Sequence, residues 1–120
     1  MRFTESHEWI RLQDKIGTVG ITEHAQNELG EVVFIELPKV GQSARAGEQI
    51  CVLESTKAAA DIYSPVTGTV VAVNELLKKN PSLINRDAEK GGWLFQIELS
   101  APKEVDRLLT RENYLILVKG

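Results

Sequence analysis

A chain of 120 residues with 42% apolar and 26% charged residues has room for one hydrophobic core, which excludes a disordered or fibrous protein. Its net charge of −3, without a basic patch, argues against nucleic acid as a partner. No apolar run approaches the roughly 20 residues of a membrane-crossing helix, and the start Met1-Arg2-Phe3-Thr4-Glu5 has no signal-peptide core, so no membrane partner is expected.

Taken in chain order, Trp9–Leu12 and Ile16–Ile21 flank the polar stretch Gln13-Asp14-Lys15, which predicts a β-hairpin. Thr22 is placed to cap a short helix over Glu23–Leu29, and Gly30 to end it. Glu31–Leu37 is rich in β-branched and aromatic residues and reads as a strand closed by Pro38. Gly41 and Gly47 bracket a polar loop. Two extended runs follow, Ile50–Glu54 and Ala60–Ser64, around Ser55-Thr56-Lys57-Ala58-Ala59. Pro65 and Gly68 lead into a strand over Thr69–Val73.

Asn74 can cap a brief helix, Glu75–Lys79, that must stop before Asn80-Pro81, because a residue preceding proline avoids the helical region. Trp93–Leu99 reads as a half-buried strand. From Pro102, the helical spacing of Val105, Leu108 and Leu109 predicts an appended helix, while Leu115–Val118 is apolar without a clear period. Short strands separated by Gly and Pro, with few helices, predict a mainly β protein, a sandwich or flattened barrel. The expectation is a single domain over residues 1–120, with a core over about 1–100 and a helical extension over about 101–120.

Cys51 is the only cysteine and lies in the apolar run Ile50–Leu53, so it is expected to act as a small buried hydrophobe. Trp9 and Trp93 are expected in the core. Of eight lysines, seven read as solvated surface cations. Lys57 differs because it falls between two strand-like runs of similar length, among small residues. An amine on a rigid turn can be enclosed by another protein without unfolding anything. Ala58, Ala59 and Ala60 leave room for approach, and Glu54 and Asp61 offer charged recognition points.

The segment Glu54-Ser55-Thr56-Lys57-Ala58-Ala59-Ala60-Asp61, followed by Tyr63-Ser64-Pro65-Val66-Thr67-Gly68, closely resembles the lipoylation segment of the H-protein family of the glycine cleavage system. The resemblance extends through Ser6-His7-Glu8-Trp9, Gly20–Gln26, Leu29–Pro38, Asn80-Pro81 to Ile84-Asn85, and Gly92-Trp93. It implies a lipoyl-domain-like fold of two facing sheets with short helices and a C-terminal helix. It implies lipoic acid in amide linkage to Lys57, and a non-catalytic carrier rather than an enzyme. The implied partners are glycine decarboxylase (P protein), the folate-dependent aminomethyltransferase (T protein), dihydrolipoyl dehydrogenase (L protein), and a lipoate ligase or octanoyl/lipoyl transferase.

By the same resemblance, Glu54 and Gly68 match positions used in recognition by lipoate-attaching enzymes, and Glu8 matches an acidic residue that helps hold the loaded aminomethyl arm. An H-like protein that relays lipoate to other complexes shares these features. Thr56 and Ala58 beside Lys57 depart from the methionines that flank a biotinylated lysine. A Schiff-base enzyme would need a depressed lysine pKa, which Glu54 and Asp61 oppose. Four positions depart from the family pattern: Ala88 and Glu89 after Asp87, Ala60, and Glu28, where some members carry a histidine near the arm. The start of the chain, directly on domain residues, points to a bacterial cytoplasm rather than a mitochondrial matrix.

Overall fold

Short strands separated by turns assemble into two antiparallel sheets in the computed structural model, which describes residues 1–119. Strands β1 (Arg2–Phe3), β2 (Glu8–Gln13) and β3 (Ile16–Ile21) are followed by helix α1 (Glu23–Leu29) and β4 (Val32–Glu36). Then come β5 (Ser43–Ala44), β6 (Gln49–Ser55), β7 (Ala59–Tyr63) and β8 (Gly68–Val73). Two single-turn helices, α2 (Leu76–Lys79) and α3 (Leu83–Arg86), precede β9 (Phe95–Leu99). A 3₁₀ segment, Pro102–Arg107, and helix α4 (Arg111–Lys119) close the described chain.

One sheet has six strands in the order β1-β2-β3-β9-β8-β5, and the other has three in the order β4-β6-β7. Their inner faces bury Ile10, Val19, Ile21, Ile35, Leu53, Ile62, Val70, Phe95 and Ile97 in one core. Burial of such apolar surface stabilises the fold by about 25 cal/mol per Å². A smaller cluster joins Phe3, Trp9 and Tyr114 at the end where both termini meet. The mainly β sandwich expected from the sequence is therefore present. No described helix is long and apolar enough to cross a membrane.

The first helix forms where its caps place it. Thr22 Oγ1 accepts the Ala25 amide at 3.1 Å, and Gly30, at φ +83°, donates its amide to the Gln26 carbonyl at 3.0 Å. Several boundaries differ from expectation. Trp93 and Leu94 stay outside β9, because Asn74 Nδ2 holds the carbonyls of Gly91 and Trp93, each at 2.9 Å. Helix α3 and the short strands β1 and β5 carry no sequence period long enough to reveal them.

The helix expected from Pro102 is a 3₁₀ turn that ends before Leu108 and Leu109. Leu109 exchanges both backbone hydrogen bonds with Phe3, each at 2.8 Å, and this pairing draws the chain into an extended bridge. The apolar stretch Leu115–Val118 lies in α4, and Gly120 lies outside the described residues.

Candidate functional site

The hairpin of β6 and β7 pairs Glu54 with Ala59 and Leu53 with Ala60, so its tip is the four-residue turn Ser55–Ala58. Ser55 ties that turn twice over. Its amide donates to the Ala58 carbonyl at 2.8 Å, and its hydroxyl oxygen accepts the amides of Lys57 and Ala58, both at 3.1 Å. A side-chain oxygen that takes the turn's free amides stiffens it without help from the core.

The Thr56 amide donates to the Glu31 carbonyl at 3.0 Å and fastens the tip to the turn after α1. That turn is itself braced. Asn85 donates to the Gly30 carbonyl at 2.7 Å and accepts the Val32 amide at 2.8 Å. Lys57 is exposed, and its methylenes lie over Gly30, where an added Cβ would stand 3.3 Å from Lys57 Cε. The amine is thus presented on a stiff turn, with its stem along a neighbouring loop.

Glu54 is exposed and makes no ion pair among the described residues. Gly68 is not on this hairpin. It opens β8 in the six-stranded sheet, paired with Leu99 and Ala44, and a Cβ there would stand 2.1 Å from the Glu98 carbonyl oxygen. That close approach requires glycine on packing grounds alone.

Glu8 opens β2 and is 1% exposed. Although acidic, it is not a surface residue. Both hydroxyls of Thr4 and Ser6 donate to Glu8 Oε1, the latter at 2.7 Å, and the Tyr63 amide donates to Oε2 at 3.3 Å. Burial pushes the carboxyl above its ordinary value, against the pull of these donors. Trp9 beside it is fully buried, with its indole N–H on the Ala88 carbonyl at 3.0 Å. Trp93 is only half-buried, at the edge of the smaller cluster.

Between α1 and β7 runs a cleft of about 220 Å³. Ile21, Ala25, Leu29, Ala60 and Ile62 give it apolar walls, and Ser6, His7, Glu28 and Asp61 give it polar groups. Ala60 and Asp61 follow Lys57 by three and four residues, at most about 14 Å of extended chain. The cleft therefore begins within reach of anything attached to the amine.

Its acidic members, Glu28 and Asp61, are both singled out in the sequence, but only the fold brings them to one cleft. Glu28 lines the cleft and is paired there with His24, with Nε2 to Oε1 at 2.8 Å. Cys51 is buried inside the core with its thiol pushed up to about 12, as a small hydrophobe would be.

A family model described as "Glycine cleavage H-protein" matches residues 1–120. The chain belongs to the glycine cleavage H-protein family. It is 53% identical over 116 residues to the glycine cleavage system H protein of Vibrio vulnificus, covering 96% of this chain and 92% of that one. It is 49% identical over 113 residues to the H protein of Thermotoga maritima, covering 94% and 91%.

A crystal structure of a glycine cleavage system H protein from Mycobacterium marinum superposes with a TM-score of 0.91 at 35% identity, covering 98% of this chain and 95% of that one. The loop that departs from the family pattern is nevertheless held in place. Its Ala88 is buried and receives Trp9, and Glu89 accepts Arg111 at 3.1 Å and the Glu23 amide at 3.0 Å, so a changed sequence still locks the loop.

Proposed function

We propose that Lys57 bears a lipoyl group and that the chain is the carrier subunit of the glycine cleavage system, without catalytic residues of its own. The observation that carries this reading is the pairing of an exposed lysine on a Ser55-braced tip with a cleft that starts three residues further on. The fit is chemical as well as spatial. An amide on Lys57 removes its charge, and the apolar walls of the cleft suit a hydrocarbon chain, while Glu28 and Asp61 suit an amine at its end.

When bound, the group would supply a strained dithiolane for thiol–disulfide exchange and a sulfur for the aminomethyl unit. The chain's own residues do the rest. Ser55 and Glu31 hold the attachment turn, Asn85 holds the loop that receives the lysine stem, and Glu8 fixes Ser6 at the cleft wall from behind. Glu54, on the hairpin and unpaired, and Gly68, through the strand it allows to close, are the positions by which a lipoate-attaching enzyme would recognise the domain. Tethering lets one arm meet several active sites at an effective concentration that reaches the millimolar range. Those sites belong to the P, T and L proteins, and residues 1–120 act as one domain in the cytoplasm of a bacterium.

Intact mass of protein produced beside a lipoate ligase tests the assignment. One lipoyl increment, absent from Lys57→Arg, is the expected result; unmodified wild-type protein overturns it. Lipoylated protein is also expected to support glycine-dependent carbon dioxide exchange with its decarboxylase, which a lipoate relay protein would not.

A further inference from the structure

Five side chains from three separate parts of the chain meet at the mouth of the cleft. The Tyr114 hydroxyl of α4 lies 2.7 Å from Thr22 Oγ1 and 2.8 Å from His7 Nδ1. His7 stacks obliquely on His24, with ring centres 4.7 Å apart, and His24 is paired with Glu28. His7 itself has φ +73°, a left-handed conformation that a non-glycine residue holds only where its surroundings impose it. Here its amide donates to Thr4 and its carbonyl accepts Thr22.

Counting donors fixes the direction of the bonds. Thr22 is 1% exposed, and its oxygen already accepts the Ala25 amide. Its own proton has one place to go among the described residues, the Tyr114 oxygen. Tyr114, 4% exposed, then sends its proton to His7 Nδ1. The opposite direction would strand the Thr22 proton without an acceptor, a costly arrangement in a buried site. An Nδ1 that accepts belongs to a neutral imidazole with its proton on Nε2.

We infer that Thr22 and Tyr114 form a positioning relay that keeps His7 uncharged, with the Nε2 proton, on the wall of the cleft. The cleft then presents Asp61 and the His24-paired Glu28 to a cationic end group without a charge on His7 beside them. This second step rests on the reading of the cleft as the resting place of the aminomethyl-loaded arm; the relay itself does not. The groups that face His7 are His24 and Glu28 from α1, Tyr114 from α4, and Asp61 across the cleft, while Glu8, its chain neighbour, is turned to Thr4, Ser6 and Tyr63. Burial and the His24 charge lower the His7 pKa, and Glu28 opposes them.

The chain has only two histidines, so imidazole nitrogen spectra of the unmodified protein read the relay directly. The expected result is an Nε2–H tautomer for His7 and a titration midpoint below the ordinary 6.5. In Tyr114→Phe the midpoint is expected to rise by roughly 0.4–1 unit, the size of one lost hydrogen bond; Thr22→Ser keeps the wild-type midpoint. An Nδ1–H tautomer, or a midpoint at or above 6.5 in the wild type, overturns the relay, and neither requires any variant to fold.

The second step is read on aminomethyl-loaded protein, whose hydrolysis consumes one water and yields the free thiol, formaldehyde and ammonia. Ammonia release is expected to quicken several-fold as pH falls through the His7 midpoint, at a pH that moves upward with that midpoint in Tyr114→Phe. A flat profile, or a step that the variant does not move, overturns the role in holding the cargo. Failure of Lys57 to be lipoylated shows separately, by mass, and leaves the imidazole spectra as a valid test.

Discussion

The Lys57 tip and the Glu8 corner are both turns beside the same cleft, yet they are built in opposite ways. At the tip nothing polar is buried; the turn is stiffened by hydrogen bonds from its own serine, and the lysine points into solvent. At the corner a carboxylate is sunk beside a fully buried tryptophan and saturated by Thr4, Ser6 and Tyr63. A group that must be handed to other proteins costs the fold little to present. A wall that must keep its shape takes its precision from burial, where every unmet polar group is penalised.

The contrast is broken most completely at Lys57. Lys57→Arg is expected to abolish lipoylation, read as loss of the whole mass increment, while the melting temperature stays within about 1–2 °C of wild type because an exposed residue away from caps and core contributes under about 0.5 kcal/mol. If the substitution unfolds the protein, the tip is not the separate, low-cost element described above.

Gly68 shows the opposite behaviour. Because a Cβ would fall 2.1 Å from the Glu98 carbonyl oxygen, Gly68→Ala must push β8 away from β9. The expected cost is about 3 kcal/mol or more, measured by denaturant unfolding. Its effect on lipoylation should follow the unfolded fraction. Lipoylation lost from protein that remains folded would instead mean that the attaching enzyme reads the Gly68 surface itself.

Glu8→Gln tests the corner. The amide keeps one acceptor and sets an NH₂ against a donor, at a cost of about 1–3 kcal/mol. The pH dependence gives the sharper signature. Burial raises the folded-state pKa of Glu8 above its ordinary 4.5, so the native state holds the proton more tightly than the unfolded chain does. That contribution is fully present below 4.5 and is lost as pH rises through the folded value. Urea unfolding across this range should therefore show a decline with rising pH that Glu8→Gln removes; an unchanged slope would mean that the decline comes from other carboxylates.

The same contrast explains what could be read from the chain before its fold. The tip was legible because its information is local: two strand-like runs, a Ser-Thr-Lys turn and small neighbours lie within fifteen residues. Helix α1 was legible for the same reason, with both caps adjacent to it. The corner was not. Glu8 reads as a polar residue between His7 and Trp9, and only the fold brings the Tyr63 amide to it. Tyr114 reaches His7 across 107 positions, and no local pattern announces that pairing. In the sequence Gly68 only leads into a strand, whereas its need for glycine comes from a strand thirty residues further on. The 3₁₀ turn at 102–107 hid behind helical spacing because its ending depends on Phe3.

The smallest expected effect separates stiffness at the tip from stability of the whole. Ser55→Ala removes an acceptor for two exposed amides and leaves the Ser55 amide bond to Ala58 and the Thr56 amide bond to Glu31 in place. Water replaces a lost partner at an exposed site, so global stability should fall by no more than about 1 kcal/mol. Locally the change is larger, because two amides that were fixed now exchange from an open turn. Hydrogen exchange at Lys57 and Ala58 is expected to accelerate while that of the β6 and β7 core strands stays unchanged. A carrier lysine needs its turn held still for the attaching enzyme, so lipoylation should slow without the fold loosening. Equal acceleration along β6 and β7 would show instead that the serine holds the hairpin together, and that presentation and stability are coupled at the tip after all.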